Sequence, residues 1–290
     1  MSQERLAASL HIDRCSPLDI VRIIQQQDRL VPEAVAAAAE PIAQAVGQAA
    51  DRLARGGSMV YAGAGTSGRI AFLDAAELPP TYGVEPGFVR VLMAGGERAF
   101  TQAVEGAEDD EGAAAAAVDE HVTAADVLVG IAASGTTPYT VAAVRRSNQL
   151  GALTVGVTST PGSPLAREAR IPIVADTGPE VIMGSTRMKS GTAQKLILNT
   201  LSTGIMIRLG RVYSNLMIEM PATNEKLRRR AVRMVELAAE VPQETALQAL
   251  REAEGNVKLA VVIARTQLGR GEAERALAER RGHLREVLGP

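Results

Sequence analysis

Tryptophan is absent, and aromatic residues make up only 2% of the 290-residue chain. Base-stacking platforms need aromatic faces, so a single-stranded nucleic-acid groove is excluded as the main function. The core must be built from Ala, Val, Leu, Ile and Met. Cysteine occurs once, as Cys15. No internal disulfide or cysteine cluster can form, which fits a reducing cytosol. The three histidines, His11, His121 and His283, lie far apart and form no H-x-x-x-H pair. A zinc site is therefore not expected, and no metal is assigned. The formal net charge of −2 lacks the basic excess that nucleic acid selects. No apolar run approaches the ~18 residues of a membrane span. Residues 1–5 open no basic-then-apolar export signal. These absences describe a cytoplasmic protein without nucleic-acid or membrane partners.

What remains is ordinary globular material, 46% hydrophobic and 22% charged. The length suits roughly two domains of ~150 residues, or one α/β domain with an appendage. Residues 16–55 read as helical. Ser16-Pro17-Leu18-Asp19 supplies a cap, a proline for the first helical position and an acid for the dipole. A second, Ala-rich helix starts at Val31-Pro32-Glu33 and runs to about Arg55, where Gly56-Gly57 ends it. Five short apolar runs follow, at 58–62, 88–93, 126–132, 152–158 and 171–175. Continuous apolar strands alternating with helical stretches predict a doubly wound α/β fold with a parallel five-stranded sheet. A long apolar helix covers 191–209, and a charged amphipathic helix 223–240. Its Arg228-Arg229-Arg230 reads as a solvated face. After Val241-Pro242 three short helices are expected, with Gly255, Gly269 and Gly282 near their ends. The expected domains are an N-terminal helical segment (1–48), a sheet domain (49–215), a connecting helix (216–240) and a small three-helix, UBA-like module (241–290).

Three loops carry candidate chemistry. Gly63-Ala64-Gly65-Thr66-Ser67-Gly68 follows a strand and opens a helix, matching G-x-G-x-x-G. A dinucleotide site is a rival there, but it wants an acid closing the second strand, and the second strand runs into Ala94-Gly95-Gly96. A tight turn alone would also account for it. Ala133-Ser134-Gly135-Thr136-Thr137 follows the third strand and again offers hydroxyls and N–H groups at a helix start. Such a loop suits an anion; neither loop contains Gly-Lys-Ser/Thr, so a phosphomonoester fits better than a nucleoside triphosphate. Plain helix capping by Ser134 and Thr137 is the alternative. Gly184 to Thr192 places Ser185, Arg187 and Lys189 before the long helix, suited to a phosphate or sugar hydroxyl, or equally to surface capping. Two acidic clusters complete the set. Glu77, beside Pro79-Pro80, is expected where the first sheet helix ends; the negative end of the dipole favours the neutral form that a general acid needs. Glu105 to Asp110 follows Gly95-Gly96. Spacing alone leaves either cluster open as a solvated face.

In combination, several blocks are specific. Tyr61-Ala-Gly-Ala-Gly-Thr-Ser-Gly-Arg69, Glu77-Leu-Pro-Pro-Thr-Tyr-Gly83, Val104-Glu-Gly-Ala-Glu-Asp109, Gly130-Ile-Ala-Ala-Ser-Gly135, Ser185-Thr-Arg-Met-Lys-Ser-Gly-Thr-Ala-Gln-Lys195 and Pro221-Ala-Thr-Asn-Glu-Lys226 occur in order. The chain resembles the N-acetylmuramic acid 6-phosphate etherases of the sugar isomerase (SIS) fold. That resemblance implies cleavage of a lactyl ether to N-acetylglucosamine 6-phosphate and D-lactate, in cell-wall recycling. It implies Glu77 as general acid and Glu108 as second catalytic carboxylate. Phosphate-binding hydroxyls fall on Ser67, Ser134 and Thr137, with Thr66, Gly135, Ser185 and Lys189 as further substrate-binding candidates. It implies no metal or organic cofactor, and a homodimer. Leu78 stands where the family usually has Cys, and Thr136 where it usually has Arg. A ketose–aldose phosphate isomerase and a non-catalytic phosphosugar sensor are the alternatives.

Overall fold

The computed structural model describes residues 4–85, 87–221 and 224–289. Residues 1–3 of the export-signal test, and Ala222 and Thr223 of the last family block and the expected helix start, lie outside them. The five apolar runs form one parallel sheet: β1 (Met59–Gly63), β2 (Val89–Met93), β3 (Val127–Ile131), β4 (Leu153–Thr158) and β5 (Ile171–Val174), in the order β2-β1-β3-β4-β5. Met59 pairs with Val89 on one side and with Val127 on the other. Every residue of β1, β3 and β4 is buried, as strands covered on both faces require. Pro172 lies in β5, which among the described residues pairs only with β4, so its missing N–H costs no ladder bond.

The chain divides into two compact units, Met1–Ala76 with Gly87–Thr203, and Glu77–Pro86 with Gly204–Pro290. The first unit begins with three helices rather than two: α1 (Pro17–Asp28), α2 (Leu30–Ala36) and α3 (Ala39–Leu53). Pro32 and Pro41 each fall third in a helix, where a missing N–H is tolerated; further in, each ring would break the turn before it. The expected single helix from Val31 to Arg55 is thereby split at Ala37-Ala38. Ser16 caps α1, its hydroxyl accepting from the Asp19 N–H at 3.2 Å.

Helix α4 (Gly65–Tyr82) continues through Pro79 and Pro80, which correct the expectation that the pair ends it. Each proline removes one bond near the helix end, and Thr81 Oγ1 donates to Glu77 O at 2.7 Å there. Helices α5 (Glu111–His121), α6 (Pro138–Leu150) and α7 (Pro164–Glu168) complete the crossovers, and α8 (Lys189–Arg208) is the long helix. One core lies between the sheet and α5–α7, with Leu128, Val144 and Leu165 fully buried.

The second unit has its own core. A two-stranded antiparallel ribbon, β6 (Val212–Tyr213) and β7 (Leu216–Met217), precedes α9 (Glu225–Ala239), α10 (Gln243–Glu252), α11 (Val257–Thr266), α12 (Arg270–Glu279) and α13 (Leu284–Leu288). Residues 257–263 of α11 are all buried, so this helix is the centre around which the others pack. The helix expected as a connector, α9, belongs to the same core through Ala231, Val235, Ala238 and Ala239. Gly255 follows α10 and Gly282 follows α12 with positive φ, as expected. Gly269 instead starts α12; Gln267 takes the left-handed position that ends α11. Among the described residues no helix is long and apolar enough to cross a membrane.

Candidate active site

In a sheet ordered 2-1-3-4-5 the crossovers leave β1 in opposite directions, and a crevice opens at the carboxyl ends of β1 and β3. Both hydroxyl loops fall at those ends. After β1 the chain turns at Ala64 and enters α4, and Gly68 makes the first helical bond, to Ala64 O at 3.3 Å. The N–H groups of Gly65, Thr66 and Ser67 thus belong to the first turn, where an anion is favoured. Thr66 is half-buried and Ser67 buried.

After β3, Gly135 adopts φ +65°, and a side chain there would collide with Ser163. The turn lets Gly135 O accept from Leu165 N–H at 2.9 Å. Thr136 donates its hydroxyl to Ser134 Oγ at 2.9 Å. Thr137 stands at the N-cap of α6, but its hydroxyl makes no cap bond. Plain capping therefore does not explain that hydroxyl.

The third cluster is built differently. Glu180, 1% exposed, caps α8 with both oxygens, accepting from the Lys189 N–H at 3.0 Å and the Ser190 N–H at 2.9 Å. Lys189 is buried, and its ammonium donates to Gln27 Oε1 of α1 at 3.0 Å. Burial lowers the Lys189 ammonium below the ordinary lysine range, while Glu180, Asp28 and Asp176 oppose that shift. Ser185 stays half-exposed on the preceding turn.

Of the acidic clusters, Glu105 to Asp110 divides by role. Asp110 caps α5, accepting from Ala113 N–H at 2.8 Å. Glu108 sits in a single 3-10 turn, Ala107–Asp109, packed against α6. Gly95 makes that placement possible: it has φ +85°, and a Cβ there would stand 2.9 Å from the Val104 Cβ. Glu105 and Glu108 line a cavity of about 350 Å³ with Ala64 and Gly65 of the first loop and with Arg69. That volume suits a sugar-sized ligand. Glu77 is exposed on α4, in the second unit.

Beneath the first loop lies a buried polar group. Asp74 of α4 accepts from Tyr61 Oη at 2.7 Å and from Ser202 Oγ of α8 at 3.1 Å. Burial raises the Asp74 carboxyl above its ordinary value, against the two hydroxyls and the Lys195 charge. Burial first, and the Asp74 charge second, push the Tyr61 phenol well above its ordinary range. Arg69 and Asp74 did not stand out in sequence, because each has a partner dozens of residues away; Glu180 caps a helix start nine and ten residues ahead, beyond the reach of a local capping pattern.

Comparison with known proteins bears on this geometry. Family models of the glucokinase regulatory protein N-terminal SIS domain and of the SIS domain match residues 41–148 and 101–203. A phosphoheptose isomerase from Francisella tularensis superposes with a TM-score of 0.52 at 22% identity, over 66% of this chain and 98% of its own, which shows the shared fold. The N-acetylmuramic acid 6-phosphate etherase of Symbiobacterium thermophilum is 55% identical, over 90% of this chain and 87% of its own length. That of Lactobacillus acidophilus is 45% identical over 99% and 97%.

The chain belongs to the N-acetylmuramic acid 6-phosphate etherase family.

A family member from Yersinia pestis matches at 46% over 99% of this chain and 98% of its own, so the likeness spans both units.

Proposed function

We propose that this chain is an etherase that cleaves the D-lactyl ether of N-acetylmuramic acid 6-phosphate, giving N-acetylglucosamine 6-phosphate and D-lactate in amino-sugar catabolism and cell-wall recycling. The observation that carries this is Glu108 on a sugar-sized cavity that opens beside the first hydroxyl loop, in a chain of the etherase family. In the open-chain sugar the C2 proton is α to the aldehyde, and the ether oxygen leaves from C3. Glu108 as base removes that proton; Glu77 as acid protonates the leaving oxygen; water then adds at C3. One carboxyl must be ionised and the other neutral. The phosphate belongs mainly on the second loop, at Ser134, Gly135 and Thr137. The helical rise puts Glu77 ~13 Å beyond Gly68, far for one hexose to span from the first loop. Thr66 and Ser67 line the sugar's path. Half-exposed Ser185 of the third cluster, with Lys189 behind it, is a further substrate-binding residue. The uncapped Thr137 hydroxyl supports the phosphate assignment.

The chemistry is assigned to these side chains alone, without metal or organic cofactor. The protein acts in the cytoplasm, where phosphorylated sugars are retained. It acts as a homodimer, supported by the exposed apolar side chains of Leu18, Val21 and Leu30 on α1 and α2; sedimentation checks this. D-lactate release in heavy-oxygen water tests the reaction. Solvent oxygen at C3 and none in lactate is expected, and solvent oxygen in lactate overturns the elimination. A phosphosugar-binding regulator or an isomerase would release no lactate.

A further inference from the structure

The proposed substrate carries two anions, a phosphate and the carboxylate of its lactyl arm. The hydroxyl loops account for the first only. In the cavity beside Glu108 the charged lining groups, among the described residues, are Glu105, Glu108 and one cation, Arg69. Two carboxylates repel a third, so the arm needs a cation there.

Arg69 is built for such a contact. It is half-buried on α4, just past the first loop. A guanidinium presents five N–H groups in a planar fork. Its side edge is spent on the loop that leads to Glu108: Nε donates to Phe100 O at 3.1 Å, and Nη2 to Gln102 O at 3.1 Å. The Phe72 ring, from the next turn of α4, packs at a tilt of 34° against the Phe100 ring, centroids 4.3 Å apart, and so buttresses that carbonyl's residue. Both acceptors are neutral, so the plane is locked by them while Arg69 forms no ion pair among the described residues. The end edge, Nη1 with the outer N–H of Nη2, has no hydrogen bond among the described residues. An end edge matches the two oxygens of one carboxylate.

We propose that Arg69 binds the lactyl carboxylate and so selects carboxyalkyl ethers over plain sugar phosphates. The assignment rests on the etherase function. A carboxylate held at Arg69 brings the ether oxygen, a few bonds away, into the cavity that Glu108 lines.

The test compares two ligands, the substrate and N-acetylglucosamine 6-phosphate, which has the phosphate but no carboxylate. Each is titrated by calorimetry into Glu108→Gln protein, which stops turnover, with Arg69 intact, Arg69→Lys or Arg69→Ala. Loss of a charged hydrogen-bonded pair weakens binding about 10- to 100-fold. Arg69→Ala should lose that much for the substrate and less than about threefold for the carboxylate-free sugar. Arg69→Lys, which keeps the charge but not the fork, should fall between. Equal losses for both ligands would reduce Arg69 to a brace for the Phe100–Gln102 loop and overturn the proposal, as would no loss for either. If Arg69→Ala does not fold, the Arg69→Lys contrast decides by itself. Failure of the etherase function would show separately, as no D-lactate from the wild-type protein.

Discussion

Asp74 is a carboxylate with two hydroxyl donors and still a raised titration point, because burial outweighs them. A raised carboxyl contributes favourably while protonated in both states, below its ordinary value of about 3.8, and that contribution is lost as pH rises through the folded value. Asp74→Asn can still accept from Tyr61 and donate to Ser202. Its stability relative to wild type should therefore improve from pH 4 towards neutrality, read by thermal unfolding at each pH; a difference that does not change with pH, or moves the other way, counts against the buried charge. Glu77 and Glu108 have distinguishable residue-scale outcomes. Glu77→Gln should lower lactate release ~10²–10⁴-fold, the usual weight of general acid catalysis, yet keep C2 hydrogen exchange in deuterated water. Glu108→Gln should lose both. Exchange lost in the first and kept in the second would swap the roles.

At the scale of elements, the proposed site depends on two loops held by glycines that have no substitute. Gly95 lets the 104–107 segment pass against the end of β2. Gly95→Ala adds strain of ~1–3 kcal/mol from its positive φ alone. Denaturant midpoints should fall accordingly, and kcat should fall further than the stability loss explains, since the displaced segment leads to Glu108. An unchanged kcat in the folded variant would detach that segment from the chemistry. The second loop carries a different expectation. Ser134 Oγ accepts from the Thr136 hydroxyl at 2.9 Å and from the Thr136 N–H at 3.2 Å, but the turn also holds by its own backbone bond from Gly135 N–H to Ala132 O at 3.0 Å, which the loss of that oxygen leaves in place. Ser134→Ala should raise KM for the 6-phosphate with little change in the unfolding midpoint. Equal KM values would move the phosphate off this loop.

For the whole molecule, the second unit's core decides what can be cut away. A chain stopped at Glu240 keeps α9 but loses Leu250, Leu259, Val261, Val262 and Ile263, which bury its apolar face. Each such side chain contributes ~1.5–3 kcal/mol, and together they rival the ~5–15 kcal/mol stability of a typical domain. The truncated chain should bind a hydrophobic dye that the full chain ignores. A dye-silent truncation would mean that α9 finds another cover. Buried Lys258 adds a polar pin to this core: it pairs with Glu219 and donates to Gly210 O at 3.0 Å and Gly282 O at 2.9 Å.

The strands, their order of appearance, the two hydroxyl loops and the cap at Ser16 follow from local chemistry, since an apolar run, a glycine turn or a capping hydroxyl acts within a few residues. Family-specific blocks added the two carboxylates. Local patterning failed where a partner lies far along the chain. Pro79-Pro80 reads as a stop, but the helix runs on to Tyr82. Segment 216–240 reads as a connecting helix, but helices that come after α9 bury its apolar stripe. Lys189 reads as a cation for a phosphate or sugar hydroxyl, or for surface capping, and nothing local shows that Gln27, 162 residues earlier, takes its ammonium. Only the tertiary structure sets Arg69 across a cavity shared with Glu108, because the carbonyls that lock its guanidinium belong to a loop more than thirty residues downstream. Sequence determined which groups are available; packing determined which of them are spent on the fold and which keep an edge free for a ligand.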